Sequence, residues 1–169
     1  MGALDTNVLV RFFNDDADDA QAAKKRPAAV AALAERSFVS VTVLLELEWV
    51  MRGFYEPPAR DISHVLRALA SIEHITLEDH DAVLVAIDTF DKGLDFADAM
   101  HLARGSRASG FATFDQRLAK RAEGLALAPK LLGQQADPSA QEWFTAKATS
   151  IVRRLLGCDF MGLAGGPRP

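Results

Sequence analysis

The chain holds one cysteine, Cys158, in 169 residues. A single thiol excludes an internal disulfide and any zinc site built on cysteines, and it fits a reducing, cytosolic compartment. No apolar run approaches the roughly 18 residues that a membrane-spanning helix needs, so no transmembrane segment is expected. The first residues, Met1-Gly2-Ala3-Leu4-Asp5-Thr6-Asn7, lack the basic and long apolar stretches of a secretory signal. A positive balance is missing as well. The 19 Lys and Arg stand against 23 Asp and Glu, a net charge of −4. Such a chain is not built to bind nucleic acid by bulk electrostatics, so its acids have to be weighed one at a time. The histidines, His64, His74, His80 and His101, show no metal-ligand spacing, and packing or surface roles suit them. His101 is the one to follow, because it lies one helical turn from Asp98.

What is present is ordinary for a globular chain: 49% hydrophobic and 25% charged residues. The length favours one domain with a short appendage. Strand and helix signals alternate over residues 3–127. Ala3–Phe13 reads as a buried strand ending in a turn, Asp15–Asp19 as a polar break, and residues 19–35 as an Ala-rich helical region that Pro27 divides or kinks. Phe38–Val41 reads as a strand, followed by a helix capped by Thr42 and running to about Tyr55. Pro57-Pro58 opens a helix over 58–71 with Ile62, Val65, Leu66 and Leu69 on one face. His74–Thr76 reads as a strand, Asp79 as the cap of a helix closed by Lys92-Gly93, and Asp95 as the start of a helix to about Ala108. Phe111–Phe114 is a strand, Gln116–Arg121 a basic helical turn, and Leu125–Leu127 a candidate last strand. No repeat is evident. The alternation implies a parallel α/β sheet covered on both faces, in which ligands bind at the carboxyl ends of the strands.

Residues 1–133 form the expected domain, and 134–169 a C-terminal extension. Gln134–Pro138 has the composition of a linker. Ala140–Leu156 is a candidate amphipathic helix, with Phe144, Ile151, Val152, Leu155 and Leu156 as its contacts. Gly162–Pro169 has a disordered composition.

Four acids sit where the apolar pattern does not call for them. Asp5 ends the first apolar run, where a turn or a cap also suits it. Glu46 has Thr42, Val43, Trp49 and Val50 as helical neighbours, an apolar face with no local cation, which makes a carboxylate costly there. Glu48 is the contrast: with Arg52 four residues on, it reads as a surface pair worth about a few tenths of a kcal/mol. Asp98 again lacks a local cation. Asp95, one turn before it, is either the helix cap or a site residue, and the helix dipole favours acids at both positions. Asp115 follows the strand Phe111–Phe114 directly. If these carboxylates converge, they cannot all stay ionised unaided. A hard divalent cation with oxygen ligands, such as magnesium, resolves the conflict and supports hydrolysis of a phosphodiester by an activated water.

The runs Leu4-Asp5-Thr6-Asn7-Val8-Leu9, Leu45-Glu46-Leu47-Glu48-Trp49-Val50, Asp95-Phe96-Ala97-Asp98-Ala99 and Thr113-Phe114-Asp115 resemble, in order and spacing, the acidic motifs of PIN-domain ribonucleases, most closely the VapC-type toxins of type II toxin–antitoxin systems. The resemblance covers about residues 3–132. It implies a three-layer α/β/α fold with a central parallel sheet of about five strands. Asp5, Glu46, Asp98 and Asp115 would be the catalytic, metal-binding acids, with Asp95 beside them. Asn7 and Thr113 would orient the acids by hydrogen bonding. The implied activity is endonucleolytic cleavage of RNA with magnesium or manganese. The implied partners are RNA, a second copy of the chain and a small VapB-like antitoxin that blocks the acidic pocket. Arg11, Arg104 and Arg117 are the candidates for binding RNA phosphates. A DNA-directed or housekeeping nuclease, or a non-catalytic module on the same fold, are the competing readings. The tail beyond residue 133 departs from the pattern of such toxins.

Overall fold

The structure is a computed structural model that describes residues 1–14, 20–108, 110–125 and 127–132. Its first strand, β1, is only Gly2–Ala3. The rest of the run expected to be strand is a helix, α1 (Thr6–Phe13). Asp5 decides this. Its carboxylate accepts the Val8 N–H at 3.0 Å and caps the helix, and the turn so started buries Leu9 and Val10 on one side. A short apolar run fits a buried strand or a buried helix equally well, and here the cap settles the choice.

Helix α2 (Ala20–Leu33) runs through Pro27 without a break and leads to β2 (Ser37–Val39). Helix α3 (Val41–Val50) is capped by Ser40, whose hydroxyl accepts the Val43 N–H at 3.3 Å; the cap is therefore not Thr42. A second acceptor comes from far along the chain: the Glu78 carboxylate takes the Val41 N–H at 2.9 Å. A π-helical turn, Met51–Tyr55, extends α3. After Pro57-Pro58 come α4 (Ala59–Ala70), β3 (Ile75–Leu77), α5 (His80–Phe90) and α6 (Phe96–Gly105). Next are β4 (Ala112–Thr113), α7 (Gln116–Arg121) and β5 (Lys130–Leu131). The last strand thus falls beyond the expected Leu125–Leu127, and Lys130 N–H donates to the Phe111 carbonyl at 2.7 Å.

The architecture is layered α/β with a parallel sheet, as the alternation of elements implied. The sheet has the order β1-β2-β3, with Gly2 opposite Ser37 and Ser37 opposite Ile75. Among the described residues it holds three strands rather than about five, because β4 and β5 pair with each other in a separate ladder. With two exposed residues, β1 has little ladder or side-chain surface on which to extend a sheet. The centre of the core is Val39 on the middle strand, packed with Leu44, Leu47, Leu66, Ile87 and Phe96, all fully buried. Each contributes about 1.5–3 kcal/mol by leaving water. Phe90 and Phe96 meet edge to face at 5.9 Å and help join α5 to α6.

Asp79 stands at the cap position of α5 but makes no capping bond there. Its backbone is left-handed (φ 59°), a strain for a residue with a Cβ. Its side chain, 7% exposed, goes instead to Arg104 at 3.3 Å and to Arg107, so the ion pairs that tie the end of β3 to α6 offset the strain. Met1–Lys130 forms one unit and Leu131–Pro169 a second. The expected polar break at 15–19 and the whole extension 134–169 lie outside the described residues.

Candidate active site

The carboxyl end of β1 leads through Leu4 into Asp5, exposed and committed through one oxygen to capping α1. Thr6, next in the chain, is buried, and its hydroxyl donates to Glu46 Oε2 at 2.5 Å. One hydrogen bond therefore brings Glu46, 40 residues away, to the start of α1. The expectation that Glu46 occupies a costly apolar face is corrected here. Its face of α3 is open: Thr42 and Glu46 are exposed and Trp49 is 65% exposed. Glu48, expected at the surface, is the buried acid, with its side chain 4% exposed and Arg52 Nε at 2.8 Å. Because α3 also buries Val41, Leu44 and Leu47, apolar residues ring most of it, and the pattern alone does not reveal which side meets the core.

Thr6→Val tests the positioning role. It keeps the shape of the side chain and removes one hydrogen bond, so stability is expected to fall by only about 1 kcal/mol. Turnover should fall severalfold at unchanged KM, and Thr6→Ser should restore it. Equal turnover in the Val and Ser variants would show that the bond matters only to the fold.

The second group of acids gathers at the start of α6 and α7. The Asp95 carboxylate accepts the Ala97 N–H at 3.0 Å, so Asp95 is the cap of α6; it also lies 3.6 Å from Arg52. Asp98 sits in the first turn and is half-buried. Burial holds its carboxyl above the ordinary aspartate range, with the charges of Asp95 and Asp115 adding to the effect; His101 and Arg121 pull the other way. Asp115 caps α7 by accepting the N–H groups of Arg117 at 2.8 Å and Leu118 at 3.0 Å. Those two bonds lower its carboxyl below the ordinary range, with Arg117 and Arg121 assisting. The Thr113 hydroxyl accepts the Asp115 N–H at 2.9 Å and so holds the backbone that aims this acid.

Asn7 and Arg11 line a cleft of about 480 Å³ together with Asp5, Val8 and Lys25. Arg117 is exposed beside Asp115. Arg104 is engaged elsewhere, 3.5 Å from Glu78 and 3.3 Å from Asp79. Two contacts are not visible in the sequence: Thr6 on Glu46, and the reach of Arg52 from its expected partner Glu48 to Asp95. Thr6 directly follows a capping Asp, which is the only local hint of its role. The second depends on a contact between distant elements.

Helix α3 links the two groups, since it packs against both α1 and α6. Among the described residues, no three His, Cys, Asp or Glu side chains stand close enough to cage a metal by themselves. Magnesium does not require such a cage; one or two direct carboxylates and retained waters suffice. The donor set is entirely oxygen, and Asp98 carries the mutual repulsion that a nearby cation relieves. The residues therefore fit a hard divalent cation held by Asp98 with Asp115 or Asp95. A family model described as the PIN domain matches residues 3–124, most of the chain. No curated protein and no solved structure matches.

Proposed function

The chain belongs to the PIN-domain family, and we propose that it is a magnesium-dependent endoribonuclease of the VapC toxin kind. PIN domains are generally metal-dependent nucleases, so the coarse class, a hydrolase of nucleic acid, follows from the family. The observation that supports the metal-dependent part of this reading is Asp98, a half-buried carboxyl kept above its ordinary range by burial and by the charges of Asp95 and Asp115; the RNA substrate and the toxin role come from the resemblance of the acidic motifs. A fold tolerates such a group where it has work to do.

In this reading Asp98, with Asp115 or Asp95, would hold the metal, while Asp5 stays with Glu46 in the group at the end of β1, and no three of these acids close on one ion by themselves. When bound, magnesium or manganese supplies an acidified water and neutralises charge on the phosphate. Glu46, whose Oε2 is held by Thr6, would serve as a proton acceptor through its other oxygen. Asp95 keeps α6 capped and adds negative charge behind Asp98. Arg11 and Arg117 steady the neighbouring phosphates, whereas Arg104 serves the fold through Asp79. We place the chain in the cytosol, paired with a second copy and restrained by a VapB-like antitoxin, as the resemblance implies. No helix among the described residues is long and apolar enough to cross a membrane.

Matched RNA and DNA oligonucleotides incubated with the full chain test the reading. Internal cleavage of RNA in magnesium or manganese, abolished by EDTA and absent with DNA, is the expected result. Cleavage that survives EDTA overturns the metal mechanism. Equal cleavage of DNA overturns the substrate assignment.

A further inference from the structure

Two large aromatic side chains stand in water beside the acids. Trp49, 65% exposed, lies one turn after Glu46 on α3, and Phe114, 76% exposed, directly precedes Asp115. Most other large apolar side chains of the unit are packed into its core; Phe54 is as exposed, at 74%, but its ring meets Tyr55 edge to face at 5.0 Å, which leaves Trp49 and Phe114 to be explained. They do not form one apolar patch. The helical neighbours of Trp49 are Leu45, Glu46, Arg52 and Gly53, of which Glu46, Arg52 and Gly53 are exposed; the chain neighbours of Phe114 are Thr113, Asp115 and Arg117. A protein-binding hot spot is normally an anchor within an apolar surround. A lone ring set among acids and arginines suits a flat π surface whose surroundings are charged and wet, which is what an unpaired base presents beside its own phosphate.

We infer that Trp49 and Phe114 are stacking platforms for unpaired bases on either side of the phosphate held at the acids. The inference rests on the nuclease reading of the acids and adds to it the way the strand is gripped. Glu46 belongs to the group at the end of β1 and Asp115 to the group at α6 and α7, so each group has one platform. Stacking is indifferent to base identity but requires that bases be unstacked from a partner strand. The pair therefore selects single strands over duplexes, and it holds a strand to a surface whose net charge is unfavourable.

The chain has two tryptophans, Trp49 and Trp143, so Trp143→Phe leaves Trp49 as the sole indole reporter. Adding Asp98→Asn keeps an added strand uncut. In magnesium, short unpaired RNA and DNA of one sequence should both quench Trp49 emission, while a duplex and an abasic strand of equal charge should not. In binding measured with a labelled strand, Trp49→Ala and Phe114→Ala should each weaken affinity about tenfold, and Trp49→Phe should retain most of it. Abasic strands that quench and bind as well as normal ones overturn the inference, as do alanine variants with parental affinity. Emission that responds to chain concentration but not to strands also overturns it and assigns the face to a second copy of the chain. The two readings fail separately. Base-dependent quenching by a chain whose parent cuts nothing in any divalent metal defeats the nuclease and spares the platforms. Cleavage by Trp49→Ala and Phe114→Ala at unchanged KM defeats the platforms and spares the nuclease.

Discussion

Asp98→Asn is expected to lower RNA cleavage by on the order of 10²–10³-fold, the scale of losing one preorganised electrostatic contact, while raising the melting temperature of the metal-free chain. The two effects share one cause. The Asp98 carboxyl is raised above its unfolded value by burial, then by Asp95 and Asp115. A carboxyl raised in the folded state costs stability when it ionises. The penalty is fully present above the folded value, shrinks as pH falls through it, and is gone below the ordinary aspartate range. Asparagine has nearly the same shape and no charge, so its stabilising effect belongs to neutral pH and fades in acid. Magnesium should raise the melting temperature of the parent, because it binds the folded chain, and should do so much less for the variant. Parental cleavage should also decline at a pH above the ordinary aspartate range, as a proton competes for the same carboxyl. Thermal melts with and without magnesium, beside a pH–rate profile, measure all of this. A variant that melts below the parent, or one that gains as much from magnesium, removes Asp98 from the centre of the site.

The parts of this site that could be read from sequence are those made by local rules. Asp95 and Asp115 announce themselves as caps because each precedes a helical run, and both carboxylates accept backbone N–H groups within three residues. Asp98 stands out because no cation lies within a helical turn of it. Asp5 is legible as a cap or turn residue, but the run around it fits a strand as well as a helix, since eight apolar-rich residues suit either period. Glu46 and Glu48 were exchanged in burial because composition around α3 does not define its phase. The bonds that assemble the site span long separations: Thr6 to Glu46 across 40 residues, and Glu78 to the start of α3 across 37. Such contacts are set by which helices pack together, and no window of sequence contains them. The same holds for the sheet, whose strands of two or three residues are too short to carry a pattern.

Arg52→Ala is the second large effect, and it follows from the burial of Glu48. An exposed pair four residues apart on a helix is worth about 0.3–0.5 kcal/mol. Breaking a wholly buried pair costs about 3–5 kcal/mol, because one charge is left unpaired away from water. Here the carboxylate is 4% exposed and the guanidinium 53% exposed, so water already reaches one side and the expected loss is about 2 kcal/mol after that discount. Arg52→Leu with Glu48→Leu removes both charges and should recover most of the stability. The site should not recover with it. Arg52 also stands 3.6 Å from Asp95, whose negative charge helps raise Asp98. With Arg52 gone, that charge acts on Asp98 with less compensation, so the pH at which cleavage reaches half its plateau should move upward in the single and the double variant alike. Urea unfolding gives the first quantity and pH–rate profiles give the second. A double variant that restores both stability and the parental pH profile would reduce Arg52 to a structural partner of Glu48. Recovered stability with a displaced profile would establish it as the residue that sets the charge behind Asp98.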